Sequence, residues 1–580
     1  MDTAKKIRAS LKKLQGKIKS GKEISEEELR SEFVNCGILE ALGYEGVPKD
    51  IRLEKGIKGK RSDLTAFDDY QNVVFVVEFK RPNEINLERD FAQLWERYVN
   101  PLKAKYGLLA DGLELLIYEQ EYGKPERKLR VNLGEITLSQ CEEIYDWLKK
   151  PKLEIAEVNE VLGYFERFDK PDEKIKLSEE AEIAQEHFFE CFELKEGSLF
   201  ANLVQATIGL FDFELERSKF LKSAYNFWKI SYAKKPEKVP ENWRRIMNEI
   251  GLETTEENLL KFMFCLESAY SLFTRLILAK ACEDYKLPYV EFSRFIKTRI
   301  ENIGYRYRGT VPLLAWAITT KNLIENMKEN LVKSVFEGDI FYWWEDGYEG
   351  LKPDALYSPK LGKPKARFSE ALAEIILTLY KFDFFAIVGD PLGTLYQQYF
   401  DKETRKALGE FYTPKEVVEY ILDAVGYDGR GVIDKKLLDP ACGSGTFLVE
   451  ALRRYLKASE QNAEEEGWSK ILKKLCNEYC IAGFDIHPFA TFMAQMQFML
   501  ALIPAYKKAM EEDSRFVLNR LPIFRTDSLI DERKGGKVTL KSFENGTRYL
   551  NIDTMLPIGE EALKIRMPYD KDAISDRTGL

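Results

Sequence analysis

The chain has 580 residues, of which 45% are hydrophobic and 32% charged, and its formal net charge is −9. That length exceeds what one hydrophobic core supports and the composition is that of a folded protein, so we expect several globular domains. No uninterrupted apolar run reaches the roughly 18 residues of a membrane-spanning helix, and the lysine-rich N-terminus lacks the apolar core of a signal peptide, so we expect a cytoplasmic protein with no membrane partner.

Three regions with different patterns follow one another along the chain. Residues 1–150 alternate between helical and strand signals, whereas residues 151–385 show the long amphipathic pattern of helices. An α/β pattern returns in residues 386–580. The sequence therefore predicts a multidomain α/β protein with an α/β domain, an all-α helical connector and a second α/β domain.

A β-hairpin is predicted in the first region. Asp63 precedes one strand, residues 68–72 form a polar turn, and a hydrophobic strand then ends in Glu78-Phe79-Lys80. Residues two apart on a strand share a face, so Glu78 and Lys80 point the same way and Phe79 points into a core. The hairpin brings Asp63 beside Glu78. Two adjacent carboxylates suit Mg²⁺, which activates a bound water and stabilises the charge that builds on a phosphate.

The next helix is predicted to begin near Asn86, and it carries Gln93 towards the same carboxylates. Together these features resemble the PD-(D/E)XK nuclease family, in the version found in restriction enzymes of Types I and IIG. The resemblance implies a set of catalytic residues: Asp63, Glu78, Lys80 and Gln93. It implies that Mg²⁺ is held by Asp63, Glu78 and Phe79.

Glu32, on the helix before Leu42-Gly43-Tyr44, matches an upstream acidic residue of that family. The alternative interpretation of the whole region is a surface hairpin with ordinary solvated charges, because a D…E-x-K pattern also arises by chance.

In the third region a helix is predicted to start at Thr413-Pro414, with Thr413 as N-cap, Pro414 in the first helical position and Glu416 completing a capping box. The apolar stripe of that helix is predicted to be buried, and it comprises Val417, Val418, Ile421, Leu422 and Val425. Helix capping does not explain Phe411 and Tyr412, which we expect to form an apolar wall for a ligand.

Three strand signals follow. The first ends at Asp439 and enters the glycine-rich turn Ala441-Cys442-Gly443-Ser444-Gly445, where glycines permit a tight turn and close approach of a ligand. The second ends at Asp485, an acid placed to bind a ribose diol. The third precedes Asp527.

In type and order these segments resemble the cofactor-side motifs of gamma-type N6-adenine DNA methyltransferases, as in Type IIG restriction–modification enzymes, and they imply a Rossmann-like class I methyltransferase fold. By that resemblance, S-adenosyl-L-methionine is bound by Phe411, Tyr412, Thr413, Pro414, Asp439, Ala441, Gly443, Asp485 and Asp527.

The catalytic Asn/Asp-Pro-Pro-Tyr/Phe motif of that family is not found, and Met567-Pro568-Tyr569 is the nearest string. A target-recognition domain is not found either, so the methyltransferase domain is expected to be incomplete. In the family the missing fourth strand pairs beside the first. We therefore expect the strand at Leu437-Leu438 to have an exposed edge, which a second chain can complete.

Two functions remain open. The first is a Type IIG-like restriction–modification enzyme acting on double-stranded DNA: a Mg²⁺-dependent endonuclease fused to an S-adenosylmethionine-dependent adenine-N6 methyltransferase domain. The second is a truncated or split subunit that binds the cofactor and a partner chain without methylating DNA alone. In the connector, Trp343 and Trp344 are expected in the core. Residues 358–365 are predicted to form a basic loop. Two interpretations stay open for Lys360, Lys363, Lys365 and Arg367: they contact DNA phosphates, or they belong to a solvated linker.

Overall fold

A computed structural model describes most of the chain. The described ranges are residues 2–18, 24–53, 62–121, 124–177, 182–233, 236, 238–288, 292–332, 340–353, 362–385, 392–393, 395, 399–400 and 413–525, with the backbone of 539–544, 547–558 and 561–569. The chain separates into two compact units, one of residues 1–191 with 377–388 and one of residues 192–376 with 389–580. The three domains predicted from the sequence, with boundaries at residues 150 and 385, are a different division from these two units and stay a prediction.

Unit 1 is built on a six-stranded sheet in the order β1-β2-β3-β4-β5-β6, in which β3 and β4 are parallel and the other neighbours antiparallel. Its strands, with two short ones outside the sheet, are Ile51–Leu53 (β1), Leu64–Phe67 (β2), Val73–Phe79 (β3), Tyr106–Ala110 (β4), Glu114–Glu121 (β5), Lys124–Asn132 (β6), Ile175–Lys176 (β7) and Phe382–Asp383 (β8). Its helices are Asp2–Ile18 (α1), Glu26–Asn35 (α2), Ile38–Ala41 (α3), Leu87–Leu94 (α4), Asn100–Leu102 (α5), Leu138–Leu148 (α6), Val158–Asp169 (α7) and Glu182–Cys191 (α8), and Trp95–Val99 forms a π-helical turn.

The central strand β3 is buried on both faces, which explains its continuous run of apolar residues. On one face Phe75, Val77 and Phe79 join a core formed with α1, α2 and α6. On the other face Val76 packs with residues of α4 and the π-helical turn. The strand predicted from the hydrophobic run is therefore confirmed, and Phe79 points into the core as expected.

The turn of the β2–β3 hairpin is held by a later part of the chain within the same unit. The buried Lys381 ammonium donates hydrogen bonds to the backbone carbonyls of Tyr70 (3.1 Å) and Gln71. Thr378 Oγ1 donates to the same Tyr70 carbonyl over 3.2 Å, and β7 pairs with β8 in parallel. These short strands depart from the all-α pattern predicted for residues 151–385.

Unit 2 combines a helical bundle with a small parallel sheet. Its helices are Leu199–Glu214 (α9), Lys219–Ser231 (α10), Glu241–Glu249 (α11), Glu256–Asp284 (α12), Phe292–Arg306 (α13), Leu314–Asn330 (α14), Gly362–Tyr380 (α15, whose last turn belongs to unit 1), Lys415–Ala424 (α16), Thr446–Glu466 (α17), Trp468–Asn477 (α18) and Pro488–Glu512 (α19). Residues Ile340–Tyr348 and Arg430–Asp434 form 3₁₀ turns. Its strands are Leu437–Asp439 (β9), Ile481–Asp485 (β10) and Ile523–Arg525 (β11), followed by Thr539–Glu544 (β12), Thr547–Ile558 (β13) and Glu561–Tyr569 (β14).

Helix α12 is the centre of the bundle and packs against α9 and α19. By length and mean hydropathy, α12 and α19 are the two described helices apolar enough to cross a membrane, yet 100% and 78% of their apolar windows lie inside the protein. Core helices of soluble proteins have the same composition, so this is weak support for a membrane span. Trp343 and Trp344 are buried beside this bundle, as the sequence predicts.

The basic loop predicted around residue 360 is partly wrong. Helix α15 already begins at Gly362, and Lys365 is buried rather than solvated. Its ammonium lies 2.9 Å from the Glu214 carboxylate and also bonds the Gly347 carbonyl. A buried ammonium must be paired and hydrogen-bonded. These partners are far from Lys365 in the sequence, so the local pattern did not predict them.

The parallel sheet has the order β11-β10-β9, so β9 has one open edge in the part of the chain that the structure describes. The Leu438 side chain on β9 is 54% exposed. The exposed edge expected at Leu437-Leu438 is thus observed among the described residues.

The buried stripe predicted for α16 is only half correct. Val418 and Leu422 are buried, but Val417, Ile421 and Val425 are 43%, 39% and 67% exposed. Amphipathic periodicity identifies the apolar face of a helix without identifying what covers that face. In the described structure this face is only partly covered.

Candidate functional site

Asp63 and Glu78 lie together at the open end of the β2–β3 hairpin. The register pairs Leu64 with Val77, so the residue before Leu64 comes beside Glu78. The backbone N–H of Phe79 donates to Asp63 Oδ2 over 2.6 Å and holds that carboxylate in place. The Glu78 side chain is only 5% exposed. The geometry that the sequence predicts for the hairpin is therefore present.

Lys80 and Gln93 both reach Glu78. The Lys80 Nζ donates to Glu78 Oε1 over 3.0 Å, and Gln93 Nε2 donates to the same oxygen over 2.6 Å. Gln93 is on α4, whose N-cap Asn86 accepts a hydrogen bond from the backbone of Arg89, as the predicted helix start requires. All four residues predicted for this site are thus within one cluster.

The surroundings of this cluster shift the pKa values of its three ionisable residues. Burial, and then the nearby charge of Asp63, raise the pKa of Glu78 to about 7. Burial also raises the pKa of Asp63, although the Phe79 N–H opposes the change. For Lys80, burial lowers the pKa, but the hydrogen bond and the charge of Glu78 outweigh that effect and leave its pKa raised.

These features fit a bound divalent cation. A cation between the two carboxylates removes the repulsion that raises the pKa of Glu78. Over the described residues, no group of three or more His, Cys, Asp or Glu side chains is arranged to hold a metal ion. A cation held here would have Asp63 and Glu78 as its side-chain ligands and would need backbone oxygen and water to complete its shell, as Mg²⁺ accepts.

Two charged residues of α2 join the cluster, and the sequence reasoning missed both. Glu26 lies 3.7 Å from the Lys80 ammonium, and Arg30 lies 3.9 Å from the Asp63 carboxylate. Glu32, the acid expected from the resemblance, is instead paired with Lys17. Glu26 and Arg30 are four residues apart and therefore share one face of α2. This spacing is the one feature of the sequence that could have indicated their common place in the cluster.

The ends of β9 and β10 form a second candidate site. Asp485 accepts hydrogen bonds from the backbone N–H of Gly443 (2.9 Å) and of His487 (2.8 Å). Asp439 accepts from the N–H of Ala441 over 3.2 Å. Burial raises the pKa of both carboxyl groups. The carboxyl ends of adjacent parallel strands are where ligands bind in open α/β sheets.

The glycine turn between them is shaped in two ways. Gly443 has φ +54, and a Cβ there would meet no atom of the described residues within 4 Å, so those residues leave the space beside its backbone open. Gly445 has φ +94 and a Cβ there comes within 3.0 Å of Ala494 on α19. Gly445 thus allows the turn to pack against the helix, and Gly443 leaves room for a ligand. The open space and the two acids fit the nucleoside and amino-acid parts of S-adenosylmethionine.

Of the remaining predicted cofactor residues, two lie in the described part of the chain and three lie outside it. Thr413 and Pro414 are described, but α16 starts at Lys415 with Pro414 as N-cap and without a side-chain cap, so the predicted capping box is wrong. The proline lies one position before the first helical residue, and its restricted φ suits that place as well. Phe411, Tyr412 and Asp527 lie outside the described residues.

Two protein-family models match the chain. Residues 25–132 match the model described as the N terminus of the type I restriction enzyme R protein, and residues 388–518 match N-6 DNA Methylase. The first range contains the Asp63–Glu78 cluster. The second contains the described residues of the β9–β10 site.

Curated relatives share short stretches with the chain. Adenine-specific methyltransferase PglX of Streptomyces coelicolor is 30% identical over 129 residues, which are 22% of this chain and 10% of that protein. The type I restriction enzyme MjaVII methylase subunit of Methanocaldococcus jannaschii is 40% identical over 89 residues, 15% of this chain and 14% of that protein. The chain therefore spans a small part of the length of these relatives.

Among solved structures, the DrdV–DNA complex aligns with 90% of this chain and 40% of that chain, at 14% identity and a TM-score of 0.26. The Type IIL restriction-modification enzyme MmeI, in complex with DNA, aligns with 45% of this chain and 40% of that chain, at 18% identity and a TM-score of 0.21. Scores this low carry no argument about fold. By their family matches, residues 25–132 are similar to the N terminus of type I restriction enzyme R proteins, and residues 388–518 are similar to N-6 DNA methylases.

Proposed function

We propose that this chain is a DNA restriction–modification protein that resembles Type IIG enzymes. In this proposal the N-terminal segment is a Mg²⁺-dependent endonuclease of the PD-(D/E)XK kind. The C-terminal segment binds S-adenosylmethionine for adenine-N6 methylation of double-stranded DNA. The observation that carries the proposal is the meeting of Asp63, Glu78, Lys80 and Gln93 at one end of a hairpin. A cytoplasmic location and the three-part division at residues 150 and 385 belong to the same proposal.

In the nuclease half, Asp63, Glu78 and the backbone carbonyl of Phe79 would hold the metal. The Phe79 side chain is buried in the core, so only its backbone is available. When bound, Mg²⁺ lowers the pKa of a water and offsets charge on the phosphate. The Phe79 N–H orients the Asp63 carboxylate, and the Gln93 amide orients that of Glu78. Partners that orient metal ligands in this way support metal affinity.

Lys80 acts through its charge. Because its pKa is raised rather than lowered, the ammonium stays protonated at neutral pH. A protonated lysine is not a general base, so it does not take the proton from the attacking water. It donates a hydrogen bond to that water or to the phosphate and offsets the negative charge that develops there.

In the methyltransferase half, the described residues Thr413, Pro414, Asp439, Ala441, Gly443 and Asp485 form part of the cofactor pocket in this proposal. Phe411, Tyr412 and Asp527 are proposed to complete it. The bound cofactor supplies the methyl group. The residues of this chain bind and orient it: Asp485 receives the ribose hydroxyls, and the turn at Gly443 admits the cofactor close to the backbone.

A second candidate function is a subunit that binds S-adenosylmethionine but needs another polypeptide for methyl transfer. The open edge of β9 and the exposed Leu438 favour it, because an unpaired, partly apolar strand edge is suited to pairing with a further strand. Val417 and Ile421 of α16 and Val425 directly after it are exposed as well.

The experiment that tests the proposal measures cleavage and methylation on the same preparation. We expect the chain to cleave plasmid DNA with Mg²⁺ and to stop when EDTA is added. Transfer of a radioactive methyl group to duplex DNA then separates the two candidates. Transfer by the chain alone contradicts the subunit function, whereas cofactor binding without transfer contradicts an autonomous methyltransferase.

A further inference from the structure

Helix α13 presents a basic surface in a protein of negative net charge. Within residues 292–310 there are five basic residues and one acidic residue, although the whole chain has 87 basic and 96 acidic residues. Proteins of negative net charge bind nucleic acid through such local basic faces. The basic residues of this segment are Arg294, Lys297, Arg299, Arg306 and Arg308, and the acidic one is Glu301.

The helix is amphipathic, and its arginines are on the outside. Phe292, Ile296, Ile300 and Gly304, spaced four apart, form the buried face, which packs towards α12 and α14. Arg294, Arg299, Arg306 and Arg308 are exposed. Arg299 and Arg306 are seven residues apart, which is two helical turns, so they lie on one side at about 10 Å spacing.

Carboxylates do not neutralise this side. Within the described residues, Arg299, Arg306 and Arg308 have no carboxylate oxygen within the 4.0 Å of an ion pair. The Arg299 guanidinium lies over the ring of Phe295, 5.3 Å from its centroid. Glu301 is turned roughly 200° around the helix from Arg299 and lies one turn before Tyr305, so it borders the surface at Tyr305 without pairing with Arg299, Arg306 or Arg308. By contrast, Arg244, Arg245 and Lys261 elsewhere in the same unit are each paired with an acid.

The end of the helix is fixed and carries the most exposed large apolar side chain of the described chain, Tyr305, at 94%. The N–H of Tyr307 bonds the Ile303 carbonyl, and the N–H of Gly309 bonds the Gly304 carbonyl, both over 2.8 Å. These bonds close the helix end in a defined turn. Tyr305, Arg306 and Arg308 are therefore presented on a fixed structure, where tyrosine and arginine both donate hydrogen bonds to phosphate oxygens.

We propose that this surface, formed by Arg299, Tyr305, Arg306 and Arg308, binds the phosphate backbone of double-stranded DNA. The inference rests on the proposed function, which supplies the DNA, and it deepens that function by assigning a contact to the helical part of the chain. The contacts are to phosphates and therefore do not depend on base sequence. A purely structural explanation exists for Arg306, because a cation near a helix C-terminus is favourable, and it predicts a loss of stability rather than of DNA affinity.

The test is fluorescence anisotropy of a labelled duplex with the full chain in EDTA, at salt concentrations between about 50 and 200 mM. The variant is Arg299→Ala/Arg306→Ala/Arg308→Ala, and the control, Arg244→Ala/Arg245→Ala/Lys261→Ala, removes the same charge from paired residues. We expect the variant to flatten the slope of log affinity against log salt by about 2 to 3, close to 0.9 per lost phosphate contact, while the control changes it by less than about 1. Tyr305→Ala, at a highly exposed position, should also weaken duplex binding. It replaces the triple variant as the test if the triple variant has a lowered melting temperature.

The outcomes are distinct. If the wild-type chain binds no duplex, the proposed function loses its DNA partner and this inference falls with it. If the wild type binds and the variant behaves like the control, the α13 surface is wrong and the proposed function stands. The same titration is repeated with a labelled single-stranded RNA. If the variant loses affinity for the RNA and keeps its affinity for the duplex, the surface binds RNA and the assignment to duplex DNA is overturned.

Discussion

The side-chain amide of Gln93 donates a hydrogen bond to the carboxylate of Glu78, with 2.6 Å between Nε2 and Oε1. This bond links the helix that follows the hairpin to the carboxylate at its end. Glu78 Oε1 also accepts a hydrogen bond from the Lys80 ammonium. The two bonds together fix the orientation of the carboxylate and therefore the direction of its second oxygen, Oε2. In the proposed nuclease site, Gln93 is therefore a residue that positions the metal ligand Glu78.

Replacing Gln93 with alanine is expected to weaken Mg²⁺ binding by about 10- to 100-fold, the usual cost of losing a partner that orients a metal ligand. Calorimetric titration of Mg²⁺ measures this change. Gln120→Ala is a suitable control, because the register places it at the opposite end of the sheet from Glu78. Equal affinity for Mg²⁺ in wild type and Gln93→Ala would remove Gln93 from the site.

The pH dependence of Mg²⁺ binding follows from the pKa of Glu78, about 7. Below that pH the proton competes with the metal for the carboxylate, so affinity falls as pH falls. Between pH 8 and pH 6 we expect a loss of about tenfold, since one proton is displaced on binding. Calorimetry at the two pH values measures it. A metal affinity that is the same at both would show that Glu78 is already ionised or is not a ligand.

Asp485→Ala should weaken S-adenosylmethionine binding by about 10- to 100-fold, which corresponds to the loss of charge-assisted hydrogen bonds. Asp485→Asn keeps one acceptor oxygen and should lose less. Asp513→Ala, at the end of α19, provides a control for removal of a carboxylate. Isothermal titration with the cofactor reports all three, and an unchanged affinity in Asp485→Ala would refute its ribose role.

The two glycines of the turn provide a matched pair. Gly445→Ala places a Cβ 3.0 Å from Ala494 at a φ of +94, so it should lower the melting temperature. Gly443→Ala meets no atom of the described residues within 4 Å and should lower the melting temperature less. We nevertheless expect Gly443→Ala to lose cofactor affinity, because its methyl group occupies the space proposed for the ligand. Thermal melting and cofactor titration of both variants check this, and full cofactor binding by Gly443→Ala would place the pocket elsewhere.

Local patterns predicted the parts of the fold that depend on local sequence. Strand β3, which carries Glu78, follows from an apolar run, and the approach of Gln93 follows from the position of Asn86 as a helix cap. Glu26 and Arg30 were missed because their place in the cluster depends on how α2 packs against the sheet. That packing is decided by tertiary contacts rather than by the helix itself.

The same limit explains the errors on α16 and at Lys365. The α16 sequence identifies an apolar face, but exposure of Val417 and Val425 depends on what lies opposite. Lys365 belongs to a Pro- and Lys-rich segment typical of a surface loop, and the distant Glu214 carboxylate and Gly347 carbonyl make its burial possible. Side chains whose environment comes from remote segments are the ones that sequence patterns misplace.

The most direct test of the proposed function compares wild type with Glu78→Ala in a plasmid cleavage assay containing Mg²⁺ and S-adenosylmethionine, with cofactor affinity measured on the same samples. We predict that wild type cleaves the DNA, that Glu78→Ala does not, and that both bind the cofactor equally. Cleavage by Glu78→Ala at the wild-type rate would contradict the assignment of the Asp63–Glu78 cluster as a nuclease site.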